Sequence, residues 1–325
     1  MSGSYNDNEL AAALAPIDVP TLQAFAGRLM ARGAVSMLVH GNATRDEAIA
    51  LAQQVHKTLD LAPVMPREIA EERQAQFPLG QSLAVQTRNP NPADPESAIV
   101  VYYQVSAARD PALTAAGYVL DQMTTEQAYT VLRTTEQLGY IVWSNFAAVG
   151  PRPAMFAFII QSTKAPTFLD SRIEAFIANT MAKTVAEIDE ETFQQYVSAV
   201  YTDLTKNDDE LSEEFNRHFS AIRWQNYDFG FNEAVAAALK KLTREDVKNF
   251  YNTYIKAGAP LRRKASMQVF GGNNPVPGAG AAGKNVPTVQ EGCEFAAEAA
   301  KGGVVRLGLK DIQPYRRQLA LWQKF

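Results

Sequence analysis

Apolar and polar positions alternate along this chain with two distinct periods, and the changes between them mark its elements. In "PTLQAFAGRLMARG", Leu22, Phe25, Ala26 and Leu29 recur at helical spacing and Gly33 closes the run. "AVSMLVHGN" is a short apolar run of strand formers ended by Gly41 and Asn42, which predicts a strand and turn. "TRDEAIALAQQVHKTLDL" then opens with Thr44 and Glu47 in capping-box spacing and keeps Ala48, Leu51, Ala52, Val55 and Leu59 on one helical face. Residues 1–9 are small and polar and read as a frayed end.

From residue 61 to 97 the periodicity fades and six prolines accumulate (Pro63, Pro66, Pro78, Pro90, Pro92 and Pro95). Such a window reads as a linker with one strand, "LGQSLAVQT", inside it, and it predicts a domain boundary near residue 95. A complete unit follows: strand "AIVVYYQV", a helix from Pro111 to Leu132, strand "YIVWSNFAA", turn "VGPRP" and strand "MFAFIIQS". Four helical segments come next, near 166–186, 190–206, 208–222 and 231–257, the last restarted by Thr243 and Asp246. Strand "KASMQVFG" closes the unit, a glycine- and proline-rich loop covers about 271–287, and a short strand and helix end the chain. Consecutive helices beside an antiparallel hairpin predict an α+β fold, a two-layer sandwich of one mainly antiparallel sheet under one layer of helices. The expected domains are therefore 1–95 and 96–325.

Composition narrows the function more than the fold. The 325 residues suffice for two cores, and 46% hydrophobic with 20% charged residues is ordinary for a globular chain. A net charge of −4 offers no basic field for nucleic acid or anionic membrane. The lone Cys293 cannot form an internal disulfide, no leader pattern is present and no window approaches the roughly eighteen apolar residues of a membrane span, so a reducing, cytoplasmic location is expected.

Candidate chemistry is sparse. His40, His56 and His218 do not stand in H-E-x-x-H or H-x-x-E-H, and a zinc site needs about three or four clustered ligands, so all three read as structural. "GAGAAGKN" (278–285) lacks the Ser or Thr that a phosphate-binding loop places after its lysine; Asn285 stands there, with Pro287 soon after. The acidic run "NDDELSEEF" has no calcium-loop glycine and reads as a solvated helix start. No G-x-S-x-G elbow supports a serine hydrolase.

"LRTTEQLGYIVWS" (132–144) admits two readings. It can be a helix end in which Arg133 answers the dipole, Gly139 turns in a left-handed conformation and Tyr140 starts a strand. It can also be a rigid corner that presents side chains for gripping a substrate.

The same stretch, "LRTTEQLGYIV", resembles the L-R-x-x-E-Q-L-G-Y-x-V segment in the C-terminal half of the insulinase (insulin-degrading enzyme, pitrilysin) family of zinc metallopeptidases. "LVHGN", "FIIQSTKAPTFLDSRIEAF", "LSEEFNRHFSAIRWQNYDF" and "LKKLTREDVKNFYNTYI" are similar to that family in the same order. The resemblance implies the end of a third insulinase-type domain up to about residue 95 and a whole fourth domain after it. It implies a peptide as substrate, held by Arg133 and Tyr140 through its backbone near the scissile bond, with Tyr129 at a substrate-facing position where phenylalanine is more usual. Glu136 and Gln137 would fix the corner. Zinc and its H-x-x-E-H motif are implied for an N-terminal half, in cis or in trans, and none for this chain, which is expected to be inactive alone. The alternative is a catalytically inactive family member that serves as a structural or partner subunit.

Overall fold

The computed structural model describes residues 7–69, 74–106, 109–148, 154–277, 304–307 and 312–321. Cys293, the "GAGAAGKN" stretch, the "VGPRP" turn and the first six residues lie outside them. The chain divides into two units: residues 1–73 with 207–229, and residues 74–206 with 230–325.

The first unit opens with helices α1 (Asp7–Leu14) and α2 (Val19–Leu29), the second capped by the Asp18 carboxylate on the Thr21 N–H. Helix α3 (Arg45–Leu59) starts on the predicted capping box, with Thr44 and Glu47 each bonding the other's backbone N–H. The strand predicted over "AVSMLVHGN" does not form. Among the described residues of this unit only β1 (Arg32–Gly33) and β2 (Ala62–Pro63) pair, in parallel, and an apolar run becomes a strand only where a neighbouring backbone meets its N–H and C=O groups. Asp7–Glu9, expected to fray, are helical.

The second unit holds the sheet. Its strands are β3 (Ser82–Arg88), β4 (Ser97–Ser106), β5 (Ile141–Ala147), β6 (Ala154–Ser162), β7 (Lys264–Phe270) and β8 (Val304–Leu307), in the order β5-β6-β4-β7-β3-β8. The first four in that order pair antiparallel; β3 lies parallel to both β7 and β8. This strand corrects the boundary near residue 95: β3 belongs to the large sheet, so the division falls between Arg73 and Gln74.

Helix α4 (Pro111–Ala128) begins with Asp110 as cap and Pro111 in its first turn. It continues as a π turn, Tyr129–Thr135. Helices α5 (Pro166–Phe176), α6 (Ala182–Glu187), α7 (Glu190–Thr205), α8 (Leu211–Arg223, part of the first unit), α9 (Phe231–Leu239) and α10 (Arg244–Phe250) follow β6. The restart predicted at Thr243 and Asp246 is a capping box.

One face of the sheet packs under the helices of the second unit, α4, α5, α7 and α10 among them. Ile99, Val101 and Tyr103 of β4, Phe156, Phe158 and Ile160 of β6, and Leu120, Leu169, Phe193 and Phe250 form a continuous buried core. A smaller cluster of Leu83, Val85, Ala265, Val305, Leu307 and Tyr315 lies at the β3–β8 end, where helix α11 (Ile312–Gln318) covers the other face.

Candidate substrate-binding corner

Between α4 and β5 the chain turns through residues 132–144, "LRTTEQLGYIVWS". The π turn widens the helix, and its carbonyls are closed by the Glu136 N–H on Val131 and the Leu138 N–H on Leu132. Leu132 and Leu138 are buried, so their side chains anchor the corner from beneath.

Gly139 is not the left-handed residue expected there. Gln137 takes that conformation, with φ of 50°. Gly139 is required for another reason: a Cβ on it would run into the carbonyl oxygen of Gln161 on β6. This close approach seats the corner directly on the sheet.

Glu136 holds it from the side. Its carboxylate accepts two hydrogen bonds from Arg172 of α5, at 2.7 and 2.8 Å, the fork geometry in which a guanidinium is most directional. The expectation that Glu136 and Gln137 fix the corner is met by this pair and by the left-handed turn. Arg172 lies 36 residues from Glu136, and nothing in its local pattern marks it as a partner.

The corner brings Tyr129, Arg133 and Tyr140 together. The Arg133 guanidinium lies 4.7 Å from the Tyr129 ring centre and 4.9 Å from that of Tyr140. Aromatic contacts use the faces of a guanidinium and leave its N–H edge free to donate. No hydrogen bond or ion pair to Arg133 occurs among the described residues. Tyr140 is 83% exposed and Tyr129 43% exposed, so both phenols face open space. The trio therefore presents a fixed cation and two hydroxyl groups, able to hold the oxygen of a peptide carbonyl.

Behind the corner α5 is pinned by a buried ionic cluster. Lys264 Nζ lies 2.7 Å from Asp170 and 2.7 Å from Glu174, Arg262 binds Glu174 at 2.6 Å, and the Tyr103 hydroxyl donates to it at 2.8 Å. Burial pushes Glu174 up, but Lys264 and Arg262 outweigh it and hold the carboxyl below its ordinary range. For Asp170 burial wins, and its pKa is raised.

On α4, burial raises Asp121 to about 6, against the lowering effects of the Phe146 N–H and the Thr125 hydroxyl.

Two of the three histidines meet in the first unit. His40 Nε2 is 3.3 Å from one Glu214 oxygen and His218 Nε2 3.9 Å from the other, while Phe215 and Phe229 ring contacts surround them. Among the described residues no group of three or more His, Cys, Asp or Glu side chains is placed to hold a metal ion. The residues described here do not fit a zinc site.

The family description "PQQ synthase PqqF-like, C-terminal lobe domain 4" matches residues 119–219, which contain the whole corner. Over 278 residues, 82% of this chain, the sequence is 34% identical to human insulin-degrading enzyme. The chain belongs to the insulinase family. It corresponds to the C-terminal part of insulinase relatives and spans about a quarter (26%) of the length of the curated relatives it matches. A nardilysin-like protein of Arabidopsis thaliana is 28% identical over 275 residues. The crystal structure of pitrilysin has the same fold over 99% of this chain and 31% of its own, with a TM-score of 0.75 at 20% identity. A peptidase "inactive domain" from Pseudomonas fluorescens shares the fold over 82% of this chain and 59% of its own, with a TM-score of 0.54 at 17% identity.

Proposed function

We propose that this chain is the substrate-holding half of an insulinase-type zinc metalloendopeptidase. It closes over a peptide while zinc, and the water it activates, belong to an N-terminal half in cis or in trans. The observation that carries the reading is the Arg133 guanidinium held 4.7 Å from the Tyr129 ring centre and 4.9 Å from that of Tyr140, with no hydrogen bond or ion pair among the described residues.

In this role Arg133 and Tyr140 donate to the backbone carbonyl of the peptide near the bond to be cut. As that carbonyl gains negative charge, the two donors bind it more tightly, which is where catalytic stabilisation arises. Tyr129 contributes a ring against the peptide and keeps the guanidinium from rotating away. Glu136 and Arg172 hold the corner without touching the substrate.

A fluorogenic peptide of about ten residues tests this with the chain alone and with a homologous N-terminal half added. Zinc-dependent cleavage in the mixture, lowered about a hundredfold by Arg133→Ala and reduced by Tyr140→Phe, is the expected result. A stable mixture that cuts nothing supports the second reading, a partner subunit without catalytic work, which the inactive-domain relative favours. Full activity in both variants overturns the substrate-holding role.

A further inference from the structure

The strands of the large sheet alternate between two faces. Buried positions of β4, β5 and β6 lie under the helices, and the residues between them reach the other face, which α11 covers at the β3–β8 end. Strand register lines these residues into cross-strand rows. One row runs through Trp143, Ile159, Val100, Met267, Val85 and Leu307, one residue from each strand. Its last two members are 9% and 3% exposed, yet Trp143 and Met267 are 43% and 41% exposed. The next row begins with Ile141, 40% exposed, opposite Gln161. One apolar surface is thus packed at one end and bare at the other.

The bare end is uncharged, small and joined to the corner. Every position of β5, β6, β4 and β7 on this face is uncharged, as at the desolvated centre of an interface. Its exposed side chains amount to a few hundred Å², well under the roughly 800 Å² that each member of a stable protein pair buries. Four strands at about 4.8 Å spacing make the row about 14 Å long, the reach of four or five extended residues. Ile141 follows Tyr140 in the chain, and Gly139 rests on the main chain of Gln161.

The covered end shows how a peptide lies on this face. Phe77 packs against the cluster of Leu83, Val85 and Tyr315. Gln104, on the same face of β4, holds the main chain there with both ends of its amide: it accepts from the Phe77 N–H at 2.8 Å and donates to the Ala75 carbonyl at 3.0 Å. Asn145 is a second amide on this face, half-buried in the row of Ala157 and Tyr102, and its side chain makes no hydrogen bond among the described residues.

We infer that the bare end of this face, from Ile141 and Trp143 across to Met267, binds an extended apolar stretch of the peptide whose backbone the Arg133 corner holds. Trp143, Ile159 and Met267 take its side chains, and the Asn145 amide takes its main chain as Gln104 does at the covered end. The inference rests on the peptide-holding reading and names its substrate class: peptides with bulky, uncharged side chains at every second residue. An acidic or basic side chain would lose hydration here without gaining a partner.

The test is fluorescence anisotropy with two fluorescein-labelled decapeptides, one alternating leucine with serine and one alternating glycine with serine, titrated with the whole chain. The leucine peptide is expected to bind at least about tenfold more tightly. Trp143→Ser and Met267→Ser, on different strands and each part-exposed in the folded chain, are each expected to weaken the leucine peptide about tenfold, and Asn145→Ala about fivefold. Circular dichroism reports whether each variant is folded, and the comparison of the two peptides needs no variant. Equal binding of the two peptides, unchanged binding by the folded variants, or no binding of the leucine peptide up to about 1 mM overturns the inference. So does a Trp143→Ser effect confined to self-association, which would make the face a contact between copies of this chain. Arg133→Ala separates the two ideas: loss in Arg133→Ala alone retains the corner and removes the face, while loss in Trp143→Ser and Met267→Ser alone does the reverse.

Discussion

Arg133 is useful because of what surrounds it. Two tyrosines eleven residues apart flank one guanidinium, since a π turn and a left-handed Gln137 fold the chain back within a few residues. Gly139→Ala is expected to cost about 2–3 kcal/mol, because its Cβ meets backbone that cannot move aside, and chemical denaturation will measure it. Asp121 gives a pH dependence of known sign. Its carboxyl, raised to about 6 in the folded chain from an ordinary 3.8, binds its proton more tightly folded than unfolded. Stability from this group is therefore complete below the unfolded value and is lost as pH rises through about 6, by on the order of 3 kcal/mol. Asp121→Asn is expected to flatten that part of the stability curve between about pH 4 and pH 7. The motif residues were legible in the sequence through their resemblance to a family segment. The wrong assignment of the left-handed turn to Gly139 arose because local pattern cannot show a carbonyl arriving from a strand twenty-two residues later.

At the scale of elements, capping boxes and alternation located most helices and strands of the second unit, since those signals are local. Two features were not legible. "AVSMLVHGN" has the composition of a strand but no neighbour to pair with among the described residues, and β3 looked like linker because its partners lie far along the chain. The buried cluster under α5 has no local signal for the same reason: its bonded partners are 71 to 94 residues apart. Lys264→Met leaves Asp170 and Glu174 short of one positive partner and is expected to destabilise the chain by about 3–5 kcal/mol, read by urea unfolding. By contrast, Arg172→Ala breaks a half-exposed pair and is expected to cost about 1 kcal/mol or less while lowering peptide affinity, because the corner loses its lateral hold.

The chain spans 26% of human insulin-degrading enzyme. In its first unit no residue of α2 or α3 is buried, and Leu22, Phe25 and Leu29 stand exposed in line on α2. On the proposed reading, an apolar stripe of that kind takes the N-terminal half as its partner. A hydrophobic dye is expected to bind the isolated chain and to be displaced when an N-terminal half is added. The central claim, that the chain holds substrate for a zinc site elsewhere, is tested most directly by one assay: cleavage of a ten-residue peptide by the mixed halves, comparing the unaltered chain with Arg133→Ala. The account predicts cleavage that requires both halves and zinc and falls about a hundredfold in the variant. Equal cleavage by the unaltered chain and Arg133→Ala would contradict it.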